Sequence, residues 1–163
     1  MLYFLLAAAL VVLDQVVKLL VRHNIPLGGS VTLIPGVMDL SYVQNTGAAF
    51  SLFQEHTWVL AAVSLVVAVL LILALIKKIF TRPWGVISLA VVLAGAVGNL
   101  IDRVFLGFVT DMFQTTFMNF AVFNVADICV VLGGISLCVY VIFFYEKWEK
   151  KGKYAHDASN SDR

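Results

Sequence analysis

Asp111, in VTDMF, and Asp127, in FNVAD, are the residues best suited to chemistry in this chain. Both lie in the stretch Gly98 to Asp127, which holds three of the ten acidic residues together with Asn99, Asn119, Asn124 and Arg103. The stretch leads from one strongly apolar segment to the threshold of the next, and lipid-embedded proteins keep ionisable groups only where something needs them. Two carboxylates at one site cannot both ionise cheaply, so one keeps a proton and serves as acid while the other serves as base. Such a pair activates water. Taken singly, each acid has a plainer explanation. Asp111 could be a solvated loop acid, and Asp127 an acid at a helix N-terminus, favoured there by the macrodipole.

The elements that must position these acids follow from composition. The chain has 163 residues, 61% of them apolar and 13% charged, with a mean hydropathy of +0.97. Soluble domains are roughly half apolar and about a quarter charged, so the solvent here is a bilayer. A net charge of +1 with no basic patch outside the membrane-flanking loops excludes nucleic acid as a partner. Cys129 and Cys138, nine residues apart on one helix, point to opposite faces, and no spacing suggests a metal site.

A spanning helix needs about 20 mostly apolar residues. Four segments qualify, about 2–22, 58–76, 84–104 and 128–145, the first read as a retained anchor rather than a cleaved signal. The fold expected is mainly α: an integral-membrane bundle of four transmembrane helices. Lys77, Lys78 and Arg82 follow the second segment, and Lys147, Lys150, Lys151 and Lys153 follow the fourth. The positive-inside rule makes that side cytoplasmic, with both termini inside and the site outside. Outside, β-branched runs flank Pro35-Gly36 and predict a small extracytoplasmic β-element over about 30–56. A surface segment rich in phenylalanine joins helices three and four. Residues 1–151 form a single membrane domain in this reading, and 152–163 a polar tail.

Polar stripes run along two of the helices. Gly95, Asn99, Asp102 and Arg103 share one face of the third, and Asp14, Lys18 and Arg22 recur a turn apart on the first. A charge at the bilayer centre costs on the order of 3 kcal/mol, so the stripes should face each other or a wet cavity. Asp14 and Lys18 are either a structural ion pair or part of the site. Arg103 either serves the acids or pairs with Asp102.

NTGAAFS (Asn45 to Ser51), GNLIDR (Gly98 to Arg103), VTDMF (Val109 to Phe113) and FNVAD (Phe123 to Asp127) resemble, in order, the signature blocks of the lipoprotein signal peptidases. DQVVK in the first helix, the four spans and the length agree as well. The resemblance implies an aspartic endopeptidase of the bacterial cytoplasmic membrane. It would remove the signal peptide from diacylglyceryl-modified prolipoproteins, cutting before the lipidated cysteine. It carries the catalytic roles onto Asp111 and Asp127, and supporting roles onto Asp14, Lys18, Asn45, Gly47, Asn99, Arg103 and Asn124. It implies no metal or organic cofactor. Its partners are the prolipoprotein signal peptide and membrane lipid, and a monomer is expected.

Three rival classes are weaker. A serine enzyme would need Ser30 with Lys18, or a serine with His56, and neither has a motif around it. A four-helix cation or proton carrier could use Asp14 and Asp102, but it would not need two sizeable outer connections. A bare scaffold leaves the polar stripes unexplained.

Overall fold

The structure is a computed structural model that describes residues 2–47 and 57–145. Its order is α1 (Leu2–Asn24), β1 (Ser30–Ile34), β2 (Met38–Asn45), α2 (Thr57–Ile76), α3 (Pro83–Phe105), β3 (Val109–Thr115) and α4 (Val125–Phe143). All four helices are long and apolar enough to cross a membrane. The C-terminal part of β-element 30–56, Glu55, His56, the basic run after Tyr145 and the tail 152–163 lie outside the described residues.

Helix α3 is the hub. It packs against α1, α2 and α4, and its buried positions include Ala90, Ala94, Gly95, Gly98, Asn99 and Asp102. Small residues let helices approach closely where lipid supplies no hydrophobic drive between them. A Cβ on Gly95 would collide with the Ala126 carbonyl oxygen, and one on Gly98 would lie 2.7 Å from Asp14 Oδ2. Pro83 opens α3 at a position where a missing N–H costs nothing. Gly107, at φ +78°, turns the chain out of the helix towards β3. By contrast α2 buries little besides Ala68, as expected of a helix that faces lipid on most sides.

The strands form one antiparallel sheet in the order β1-β2-β3. Ile34-Pro35-Gly36-Val37 makes the hairpin turn, with Gly36 at φ +73° and the Val37 N–H donating to the Ile34 carbonyl at 3.0 Å. Proline followed by a left-handed glycine is the signature of a type II turn.

The connection between α3 and α4 departs from a plain surface segment. Its first part is the third strand, and Asp111 sits on that strand rather than in a loop. Val109 to Met112 are buried on both faces, so VTDMFQT lacks the alternation that marks a half-exposed strand. The later part does keep a surface character, with Phe117, Met118 and Phe120 exposed. The fourth helix also begins at Val125, three residues earlier than the apolar run alone suggests, because a polar cap and Asp127 belong to its first turn.

Candidate active site

Chain direction brings the last turns of α1 and α3, the first turn of α4 and strand β3 to the same end of the bundle. Asn124 is the N-cap of α4. Its side-chain Oδ1 accepts the Asp127 N–H at 2.9 Å, while its own N–H donates to Asp127 Oδ2 at 3.1 Å. This reciprocal box satisfies donors that a helix start otherwise leaves orphaned. With Oδ1 committed to the cap, the Asn124 amide nitrogen points away from α4. It donates to Asp111 Oδ1 at 2.7 Å and to Asn99 Oδ1 at 3.1 Å. One buried asparagine thus holds both acids.

Each acid has a second amide partner. Asn45 Nδ2 donates to Asp111 Oδ2 at 2.9 Å across the sheet. In the β2–β3 register Asn45 lies diagonal to Asp111, because Val43 opposes Asp111 and Asn45 opposes Val109. The Gly47 N–H donates to Asn45 Oδ1 at 2.9 Å, an Asx turn that aims the Asn45 NH2 at the acid. Asn99 Nδ2 donates to Asp127 Oδ1 at 2.7 Å, and Asn99 Oδ1 accepts from Lys18 Nζ at 3.0 Å. An ammonium only donates, so Lys18 fixes which way the Asn99 amide faces.

Burial, reinforced by the neighbouring charge of Asp127, raises the Asp111 carboxyl from 3.8 to about 6, although the amides of Asn45 and Asn124 pull it down. Both acids line a cavity of about 390 Å³ with Asn45, Asn99 and Arg103 on its polar side and Phe120 to Phe123, Ile128 and Val130 to Leu132 on its apolar side. Arg103 does not pair with Asp102. Neighbours on a helix point about 100° apart, and Asp102 turns to Lys18 at 3.3 Å. Arg103 Nη1 reaches Ser64 Oγ at 3.4 Å, and its buried Nε has no hydrogen-bond partner among the described residues.

Behind the acids lies a buried cluster that includes two residues not singled out from the sequence. Lys18 Nζ lies 2.9 Å from Asp14 Oδ2 on its own helix, and its contacts with Asp102 and Asn99 on α3 show that the two stripes do face each other. Gln15 Nε2 bridges Asp14 Oδ2, Asp102 Oδ1 and the Gly98 carbonyl at 3.1, 3.2 and 3.1 Å. Thr110 Oγ1 accepts from Arg22 Nη1 at 2.9 Å. Gln15 had a signal, since an amide beside Asp14 in an apolar helix carries the same insertion penalty logic. Thr110 had none, for its contribution is largely through the backbone. Lys18 spends its donors here, and Ser30 lies on exposed β1, so no Ser/Lys pair forms.

The family model described as Signal peptidase (SPase) II matches residues 6–143. The chain belongs to the signal peptidase II family. It is 47% identical over 151 residues to the lipoprotein signal peptidase of Enterococcus faecalis, covering 93% of both chains. It is 44% identical over 133 residues to that of Streptococcus pneumoniae, covering 82% of this chain and 87% of the relative. A solved bacterial membrane enzyme, determined in meso at 2.3 Å, matches with a TM-score of 0.82 at 26% identity over 90% of each chain. Signal peptidase II proteins are proteases that remove signal peptides from prolipoproteins, and this chain is a bacterial membrane protein of that kind.

Proposed function

We propose that this signal peptidase II is an aspartic endopeptidase whose catalytic pair is Asp111 and Asp127. The observation that carries the reading is the shared grip of Asn124 on both acids at the wall of one cavity. The pair holds one proton. Burial pushes the Asp111 carboxyl up to about 6, and its hold on a proton strengthens when substrate displaces water from the cavity, which suits it to the acid role. Asp127, at the positive end of α4, serves as the carboxylate base. It takes a proton from water as the water oxygen attacks the scissile carbonyl. Asp111 donates to the developing oxyanion, and the nitrogen of the breaking peptide bond leaves with the proton held by Asp127.

Asn45, Asn99 and Asn124 hold the acids without adding charge, Gly47 sets the Asn45 amide, and Asp14 and Lys18 act from behind through Asn99 and α4. Arg103, whose Nε has no partner among the described residues, supplies a donor for a substrate carbonyl. The apolar wall of Phe120 to Phe123 with Ile128 and Val130 to Leu132 suits a substrate that arrives from the bilayer with acyl chains attached. The substrate class is therefore the diacylglyceryl-modified prolipoprotein, cut before the lipidated cysteine. Basic residues 77, 78 and 82 at the opposite end of the bundle support cytoplasmic termini and an outward-facing site. Residues 1–151 act as one domain and as a monomer, with 152–163 as a tail. Purified protein should cleave a diacylglyceryl-modified precursor and spare its unlipidated twin. Equal cleavage of both would remove the lipid from the specificity.

A further inference from the structure

Two carboxylates that do not line the cavity occupy equivalent places behind it. Asp102 Oδ2, on α3, accepts the Thr110 N–H at 2.9 Å, and Thr110 immediately precedes Asp111. Asp14 Oδ1, on α1, accepts the Ala126 N–H at 2.9 Å, and Ala126 immediately precedes Asp127. Both carboxylates and Lys18 are buried to within 1% of complete exclusion. A single ammonium serves the pair, at 2.9 Å from Asp14 and 3.3 Å from Asp102, and Gln15 donates to both acids at once.

We propose that Asp14 and Asp102 are paired positioning residues, each fixing the backbone of one catalytic aspartate, with Lys18 and Gln15 setting the distance between them. The proposal rests on the Asp111–Asp127 reading. Buried clusters of acids and bases are poor stabilisers compared with apolar packing. What this cluster supplies is registry. Strand β3 and helix α4 follow one another in the chain but are different elements, and each is tied to the same ammonium through one backbone N–H and its carboxylate. Lys18 closes a second route, since it also holds the Asn99 oxygen whose amide donates to Asp127. Charged acceptors of backbone N–H groups make shorter, stronger bonds than neutral ones, so the spacing of the acids is set where water does not enter.

The test compares Asp102→Asn and Asp14→Asn with Asp111→Asn and Asp127→Asn in detergent, using a lipidated precursor. Turnover is expressed per folded molecule, from the folded fraction measured on the same sample. Asparagine keeps an acceptor for the backbone N–H but loses the charge that fixes it. The two positioning variants should lose kcat on the order of 10²-fold, the cost of a small misplacement of reacting groups. KM should stay within about 2-fold, since binding contacts are untouched. If either variant yields no folded protein, Gln15→Met decides for the cluster. It removes the bridge without stranding a charge, and kcat should fall about tenfold with KM unchanged. Unchanged kcat per folded molecule would show that the cluster serves stability alone. A loss as complete as that of the Asp111 and Asp127 variants would make Asp102 or Asp14 a reacting group instead. Full activity in Asp111→Asn or Asp127→Asn would overturn the catalytic reading itself, whatever the cluster does.

Discussion

Asn124 and Asp127 clasp each other backbone to side chain in both directions, at 2.9 and 3.1 Å, so an ordinary helix cap doubles as the mount of a reactive acid. Replacing Asn124 by Asp separates the two duties. Aspartate caps a helix as well as asparagine does, but it cannot donate to Asp111 and adds a further acid to the pair. Thermal unfolding of Asn124→Asp in detergent should stay near wild type while cleavage falls at least about 10²-fold. Asn124→Ala should lose activity and about 1 kcal/mol of stability with the cap. Normal cleavage by Asn124→Asp would show that the amide bond to Asp111 is dispensable.

Removal of either acid should stop the reaction without unfolding the bundle. Asp111→Asn and Asp127→Asn preserve shape and keep one acceptor oxygen, enough for one of the two donors that each acid holds. They lose the group that takes or gives a proton, worth up to about 10⁴ in rate. Both variants should insert and purify normally, and cleavage of the lipidated precursor should fall by that factor.

The fold was legible where lipid imposes it. Four apolar runs of membrane length became α1 to α4, and Pro35-Gly36 became a turn, because neither depends on distant partners. Asp111 and Asp127 could be singled out because ionisable groups are rare near lipid. Strand β3 was hidden, since its register is set by β2 and its burial on both faces erases alternation. Thr110 and the partners of Gln15 were hidden for a related reason: the contacts run to Gly98, Asp102 and Arg22, and sequence spacing does not show contacts between helices. The start of α4 was misplaced because its cap is polar and apolar counting begins after it.

The Asp111 carboxyl should titrate near pH 6, visible as a protonated-carboxyl infrared band absent from Asp111→Asn. Its folded value lies above the ordinary 3.8, so the folded protein holds this proton more tightly. The stability it contributes is fully present below the ordinary value and is lost as pH rises through about 6. Asn45→Ala removes a hydrogen bond that favours the ionised form, and the midpoint should move up. A midpoint that fell in Asn45→Ala would show that the amide does not stabilise the carboxylate.

Helix spacing at Gly95 should matter as much as any polar group. Its missing side chain lets α3 touch the Ala126 carbonyl and come within 2.9 Å, from the Cβ position, of the Val130 nitrogen. Those are backbone atoms of α4, so they cannot swing aside as a flexible side chain would. Gly95→Ala must push α4 outward just where it carries Asp127, at a cost typical of overpacking, about 1 to 3 kcal/mol. The shift also stretches the Asn99–Asp127 bond, which crosses the same seam, and the Asp14–Ala126 bond, which ties α4 to α1. Gly134, on α4 with open space around its Cβ position, provides the control. Gly134→Ala should leave unfolding and cleavage near wild type, whereas Gly95→Ala should lower both; equal behaviour of the two would mean that the α3–α4 approach does not govern the site.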